Sequence, residues 1–93
     1  MENKIVYSPK AMQQLREIYF YLDNNWGVKV LRNFEVSLKL KEKLLIQQPN
    51  IGFKSSKNSI YQKTLITERY LLVYRYSKNI VTIIRFKHSS QNR

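Results

Sequence analysis

The chain has 93 residues, 43% of them hydrophobic, with two glycines, two prolines and no cysteine. This is the composition of one small folded domain spanning 1–93, and it excludes disulfides, thiolate metal sites and low-complexity structure. Seventeen Lys and Arg against six Asp and Glu leave a net charge of +11, which implies an anionic partner.

Along the chain, "KIVY" (Lys4 to Tyr7) reads as a short β-branched strand. Ser8 and Pro9 then open a helix: serine caps the orphan amides, and proline costs nothing at the first helical position. Met12, Leu15, Tyr19, Leu22 and Trp26 recur at helical spacing and predict one buried face, with Gly27 as the stop. A second helix is expected from Val28 to Gln48, ended by Pro49. Its apolar residues form two arcs. Val30, Leu31, Phe34, Leu38 and Leu45 make one, Val36, Leu40 and Leu44 the other, so this helix is expected to touch both the first helix and a sheet.

"NIGFKSSKNS" (Asn50 to Ser59) has no periodicity and reads as a polar loop. Afterwards the pattern changes to period 2, with strands expected at Ile60 to Ile66, Tyr70 to Tyr76 and Ile80 to Lys87. "TER" and "SKN" supply the turns. The expected fold class is α+β: an N-terminal strand and a two-helix hairpin packed on an antiparallel sheet, in the order β-α-α-β-β-β. No apolar run is long enough to span a bilayer, and "MENKIVYSPK" lacks the apolar stretch of a signal peptide. Together with the absence of cysteine, this leads us to expect a cytoplasmic protein with no membrane partner.

One histidine, no cysteine and scattered acids cannot assemble a usual zinc set, so no metal or cofactor is expected. There is no GxxxxGK[ST], GxGxxG or G-x-S-x-G. What remains is positive charge, concentrated in residues 54–93, where nine basic residues face one acid, Glu68. If Ser77 to Asn79 form a three-residue turn, Leu71 faces Arg85 and Arg69 faces Lys87 on one side of the last hairpin. Arg69, Arg85 and Lys87 then cluster where His88 emerges, with Lys54 and Lys57 able to approach. Such a group could grip a phosphate backbone, with His88 as acid or base in phosphodiester cleavage. The alternative is that Arg85 is a surface residue laid along an apolar edge. Most aromatic residues fall at core spacing, among them Tyr19, Tyr70, Tyr74 and Phe86; Tyr61 and Tyr76, near strand ends, are the candidates for exposure.

The stretches "YSPKAMQQLREIYFYL", "NNWG", "LRNFEVSLKLKEKLLIQQPNIG" and "RYLLVYRYSKNIVTIIRFKH" are similar, in order and spacing, to the RelE/ParE superfamily of type II toxin–antitoxin toxins. The S-P-x-A helix start, the W-G, the P-x-x-G, "VYRY" and the terminal "IIRFKH" carry the resemblance over nearly the whole chain. It implies a small basic bacterial toxin of the growth-inhibiting, plasmid-stabilization type, bound by a cognate acidic antitoxin in a hetero-oligomer. RelE-like members cleave mRNA on the ribosome as metal-independent endoribonucleases (mRNA interferases), and ParE-like members inhibit DNA gyrase. RelE-like chains often carry arginine where this one has Leu71, and many members carry arginine where it has Gln91, whereas His88 and Arg85 match. The resemblance therefore leaves Arg69, Arg85 and His88 as catalytic candidates if the chain is an enzyme, and the basic residues Lys54, Lys57, Arg75 and Lys87 are the candidate nucleic-acid or target contacts. Its departures favour the ParE-like side. A non-catalytic nucleic-acid-binding module is the third reading.

Overall fold

The computed structural model describes residues 2–54 and 60–89. The expected α+β architecture is present: β1 (Lys4–Tyr7), α1 (Pro9–Trp26), α2 (Val28–Gln47), β2 (Phe53–Lys54), β3 (Tyr61–Leu65), β4 (Tyr70–Ser77) and β5 (Ile80–His88). The strands form one sheet in the order β1-β5-β4-β3-β2, with β1 parallel to β5 and the other pairs antiparallel. Two features are additional to the sequence reading. The polar stretch after α2 contributes the short edge strand β2, and the N-terminal strand joins the sheet beside the last one.

Local chemistry sets the helix ends. Ser8 Oγ accepts the Ala11 amide at 3.0 Å and donates to the Ile84 carbonyl at 2.7 Å, so one hydroxyl caps α1 and ties it to β5. Gly27 lies at φ 92° and ψ 171°, a region open essentially to glycine alone. Its amide closes α1 on the Leu22 carbonyl at 3.0 Å, while its carbonyl accepts the Leu31 amide at 3.2 Å and starts α2. A single residue therefore turns the hairpin.

Ala11, Leu22, Phe34, Leu38 and Leu45 from the helices meet Tyr70, Leu72, Tyr74, Val81, Ile83 and Phe86 from the sheet in one buried cluster. Leu15, Ile18, Tyr19 and Leu31 pack against it. Edge-to-face rings link Tyr19 to Phe34 (6.0 Å) and Phe34 to Tyr70 (5.4 Å). The buried stripe of α1 is thus rotated from the expected one, leaving Met12 and Trp26 exposed. On α2, the arc expected to find a second partner does not: Val36 is 58% and Leu40 62% exposed. Tyr7 stacks on Phe86 and donates to Glu42, which fastens β1 to α2. Burial, reinforced by that carboxylate, pushes the Tyr7 phenol far above its ordinary range.

The hairpin from β4 to β5 corrects the register inferred from sequence. Its turn has two residues, Lys78 and Asn79, both with positive φ (53° and 66°), and Ser77 pairs with Ile80. Such left-handed pairs match the right-handed twist of the flanking strands. A shift then falls between Val73 and Tyr74, so that Tyr74 pairs with Ile83 but Val73 pairs with Arg85. Ile84 is the extra residue of a β-bulge. It inverts the alternation of β5: Val81 and Ile83 face the helices before it, Phe86 and His88 after it, and Arg85 and Lys87 turn outward. Leu71 therefore faces Lys87, not Arg85, and Arg69 does not face Lys87.

A polar knot holds β2. The buried Tyr74 hydroxyl accepts the Gly52 amide at 3.0 Å and lies 2.8 Å from the Pro49 carbonyl and 3.2 Å from Gln62 Oε1. A Cβ on residue 52 would stand 2.6 Å from that hydroxyl and 2.9 Å from the Lys63 carbonyl, so the close approach requires glycine.

Candidate target-binding face

The helices cover one face of the sheet, and strand alternation assigns the other from the observed register. Three rows of directly opposed residues cross it. Tyr61, Arg75, Thr82 and Val6 form the first, Phe53, Lys63, Val73 and Arg85 the second, and Leu65, Leu71 and Lys87 the third. Lys4 continues the face on β1, beside Ile80. The row positions include Lys63, Arg75, Arg85 and Lys87 and no acid. At sheet spacing, Arg85 and Lys87, two residues apart on β5, stand ~7 Å apart, and Lys63 and Arg85, on either side of Val73, ~10 Å apart. This spread suits an extended polyanion better than a single carboxylate. Leu71 and Val73 are only 3% exposed although they belong to this face, and Phe53 is 77% exposed at its edge. A cavity of about 350 Å³ beside Leu71 is lined by Phe53, Lys63, Leu65 and Glu68. The Arg85 Nε is buried and has no hydrogen-bond partner among the described residues.

The residues singled out from sequence separate in space. Arg75, Arg85 and Lys87 share the open face. Lys54 pairs with Gln62 at the sheet edge and so alternates to the other side. Lys57 and Gln91 lie outside the described residues. Arg69 sits in the connection between β3 and β4, its guanidinium 4.7 Å from the centroid of the Trp26 ring, at the tip of the helical hairpin. His88 is directly opposite Tyr70, with ring centroids 5.3 Å apart, and therefore belongs to the helix side. It lines a cleft of about 190 Å³ with Gln14, Glu17, Tyr21, Tyr70 and Lys87. Arg69, Arg85 and His88 thus occupy three different places. Tyr70, in that cleft, has its phenol raised chiefly by burial. Along the free edge of β5, Gln14 Oε1 accepts the Phe86 amide at 2.8 Å, closing part of an otherwise open strand.

Sequence reasoning missed Lys63, Phe53 and Lys4 as members of the face. The period-2 reading of β3 could have given Lys63, since it shares parity with Tyr61 and Leu65. No group of three or more His, Cys, Asp or Glu among the described residues is placed to hold a metal ion. No helix among them is long and apolar enough to cross a membrane.

A family model described as the ParE toxin of the type II toxin–antitoxin system parDE matches residues 5–93. The chain belongs to the ParE toxin family. Solved structures share the fold of this ParE-family chain. One is described as the chromosomal ParDE system of P. aeruginosa, at 19% identity and TM-score 0.75 over 92% of this chain and 95% of that one. A YoeB dimer from Staphylococcus aureus superposes at 22% identity and TM-score 0.66, covering 94% and 97%. YafQ from E. coli does so at 14% identity and TM-score 0.64, covering 96% of each chain. No curated protein sequence matches the ParE-family chain. At these identities the neighbours establish the fold, and the family model establishes a type II toxin–antitoxin toxin of the RelE/ParE superfamily.

Proposed function

We propose that this toxin acts in the ParE manner, inhibiting DNA gyrase in the bacterial cytoplasm by binding through its open sheet face, and that a cognate acidic antitoxin neutralises it in a hetero-oligomer. What supports the reading is the division of the chemistry between faces. Arg75, Arg85, Lys87 and Lys63 share one surface with no acid in its rows, whereas His88 turns to the helix side and Arg69 stacks on Trp26. A general acid or base must reach the same reacting atom as the groups that stabilise its charge. Here the histidine and Arg85 are on opposite sides of a sheet, which favours grip over bond cleavage. The antitoxin partner is supported by the family, and by relatives described as the ParDE system and the YoeB–YefM heterotetramer.

A supercoiling assay with purified gyrase tests this directly. The wild-type chain is expected to inhibit it, and K63E/R75E to lose inhibition while keeping its melting temperature. Gyrase that supercoils normally in excess toxin would sink the reading.

One observation favours a second reading, RelE-like ribosome-dependent mRNA cleavage. His88 lies in a cleft with Glu17, Tyr21 and Tyr70, a set of side chains able to donate and accept protons. In that case primer extension on a reporter message should show cuts that His88→Ala abolishes.

A further inference from the structure

The cavity of about 350 Å³ on the cationic face brings three kinds of chemistry together. Phe53, 77% exposed at the sheet edge, offers a ring face, and Leu65 and Leu71 offer an aliphatic floor. Lys63 supplies a cation and Glu68 a carboxylate. The corner that carries Glu68 is held in place. The Ser89 hydroxyl donates to the Glu68 carbonyl at 2.7 Å, the Ser89 amide donates to the Arg69 carbonyl at 2.8 Å, and the Thr67 hydroxyl accepts the Arg69 amide at 3.2 Å. Across the sheet, Lys87 stands opposite Leu71 and Arg85 opposite Val73, so two cations lie one strand, ~5 Å, beyond the floor.

We propose that this cavity is a slot for one unpaired pyrimidine of single-stranded DNA, cytosine in preference to thymine, with the flanking phosphates on Lys63, Arg85 and Lys87. The proposal rests on the gyrase reading for its choice of DNA, the nucleic acid on which that enzyme acts, and adds what the face grips. A single ring suits a cavity at the small end of ligand pockets. It has a π face for Phe53 and a polar edge for Glu68, and stacking on an aromatic side chain beside a positive track is how unpaired strands are held. Selection comes from the carboxylate, which only accepts hydrogen bonds: cytosine presents its N4 amino donor where thymine presents the O4 acceptor. Duplex DNA keeps its bases stacked on one another and would use the cations alone. A protein segment with an aliphatic anchor would fill the floor, but it would make no use of Glu68, whose charge would oppose the carboxylates that the cations attract.

The test is fluorescence anisotropy of the full chain with labelled oligo(dC) and oligo(dT) of about 12 nucleotides, beside a gyrase supercoiling assay. Oligo(dC) is expected to bind about tenfold more tightly than oligo(dT). Phe53→Ala, at an exposed position, should keep the fold and weaken both about tenfold. Glu68→Gln should erase the preference, because glutamine both donates and accepts. Lys63→Ala should weaken both and lower the salt slope by about one. Equal affinity for the two oligomers, or a preference that survives Glu68→Gln, would overturn the proposal. So would a duplex bound as tightly as the single strand, or Phe53→Ala without effect, since phosphate contact would then account for all the binding. Oligo(rC) bound more tightly than oligo(dC) would overturn the choice of DNA. A wild-type chain that inhibits gyrase yet binds neither oligomer would sink this proposal and leave the gyrase reading standing; loss of that inhibition in Phe53→Ala would then give the cavity to a side chain of gyrase. A chain that binds oligo(dC) with the expected preference and leaves gyrase untouched would keep the slot and remove the gyrase reading.

Discussion

Replacing Tyr74 with phenylalanine tests the polar knot under the edge of the target-binding face. The ring is fully buried, and its hydroxyl contacts three groups: the Gly52 amide at 3.0 Å, the Pro49 carbonyl at 2.8 Å and Gln62 Oε1 at 3.2 Å. The single hydroxyl proton serves either the carbonyl or the glutamine, so two good hydrogen bonds are lost at a time. Phenylalanine keeps the packing and leaves these partners facing carbon. Buried neutral hydrogen bonds lost this way cost ~1–3 kcal/mol, and the central value of ~2 kcal/mol corresponds to a melting point lower by roughly 8–16 °C in a domain of this size. Circular dichroism melts would measure it, with Tyr21→Phe, at an exposed position, as control. Gly52→Ala should also destabilise, because its Cβ would meet both the Tyr74 hydroxyl at 2.6 Å and the Lys63 carbonyl at 2.9 Å. In the Tyr74→Phe background the clash with the hydroxyl disappears, while those with the ring Cε1 and the Lys63 carbonyl, both at 2.9 Å, remain, so the combined cost should fall short of the sum of the two. A Tyr74→Phe change below ~0.5 kcal/mol, the size of an ordinary surface substitution, would refute the reasoning.

Stability should be flat through neutral pH with respect to tyrosine and fall as pH climbs past about 10, the ordinary phenol value. Tyr7, Tyr19, Tyr70 and Tyr74 are all raised, chiefly by burial. The folded chain therefore holds protons that the unfolded chain releases, which makes the slope negative there; melting temperatures that stay level to about pH 11 would contradict it. Lys78, at φ 53°, occupies a position that asparagine tolerates better. Lys78→Asn should stabilise by ~0.5 kcal/mol, and Lys78→Val should destabilise by ~1 kcal/mol or more, both readable by urea unfolding. Arg69→Ala should cost ~0.5–1 kcal/mol through its lost contact with Trp26. It should also shift the fluorescence of that single tryptophan and leave gyrase inhibition in place.

The sequence alone determined whatever depends on a few neighbouring residues. Ser8 and Pro9 start α1, Gly27 turns the hairpin and Pro49 ends α2, because capping, a glycine-only conformation and a missing amide act within one turn of chain. The strands, too, were legible from β-branched and aromatic runs, and the order of elements gave the α+β class. The working face was not legible. "IVTIIRFKH" is apolar at both parities, so nothing local places the extra residue of the bulge at Ile84. Yet that residue sends Arg85 and Lys87 outward and His88 toward the helices. Likewise, the periodicity of α2 marks two apolar arcs without choosing between them. Only the packing of α1 and the sheet decides that Phe34, Leu38 and Leu45 are covered while Val36 and Leu40 meet solvent. Periodicity records which residues share a side; which side is buried depends on contacts between segments distant in the chain, and those form only when the fold closes.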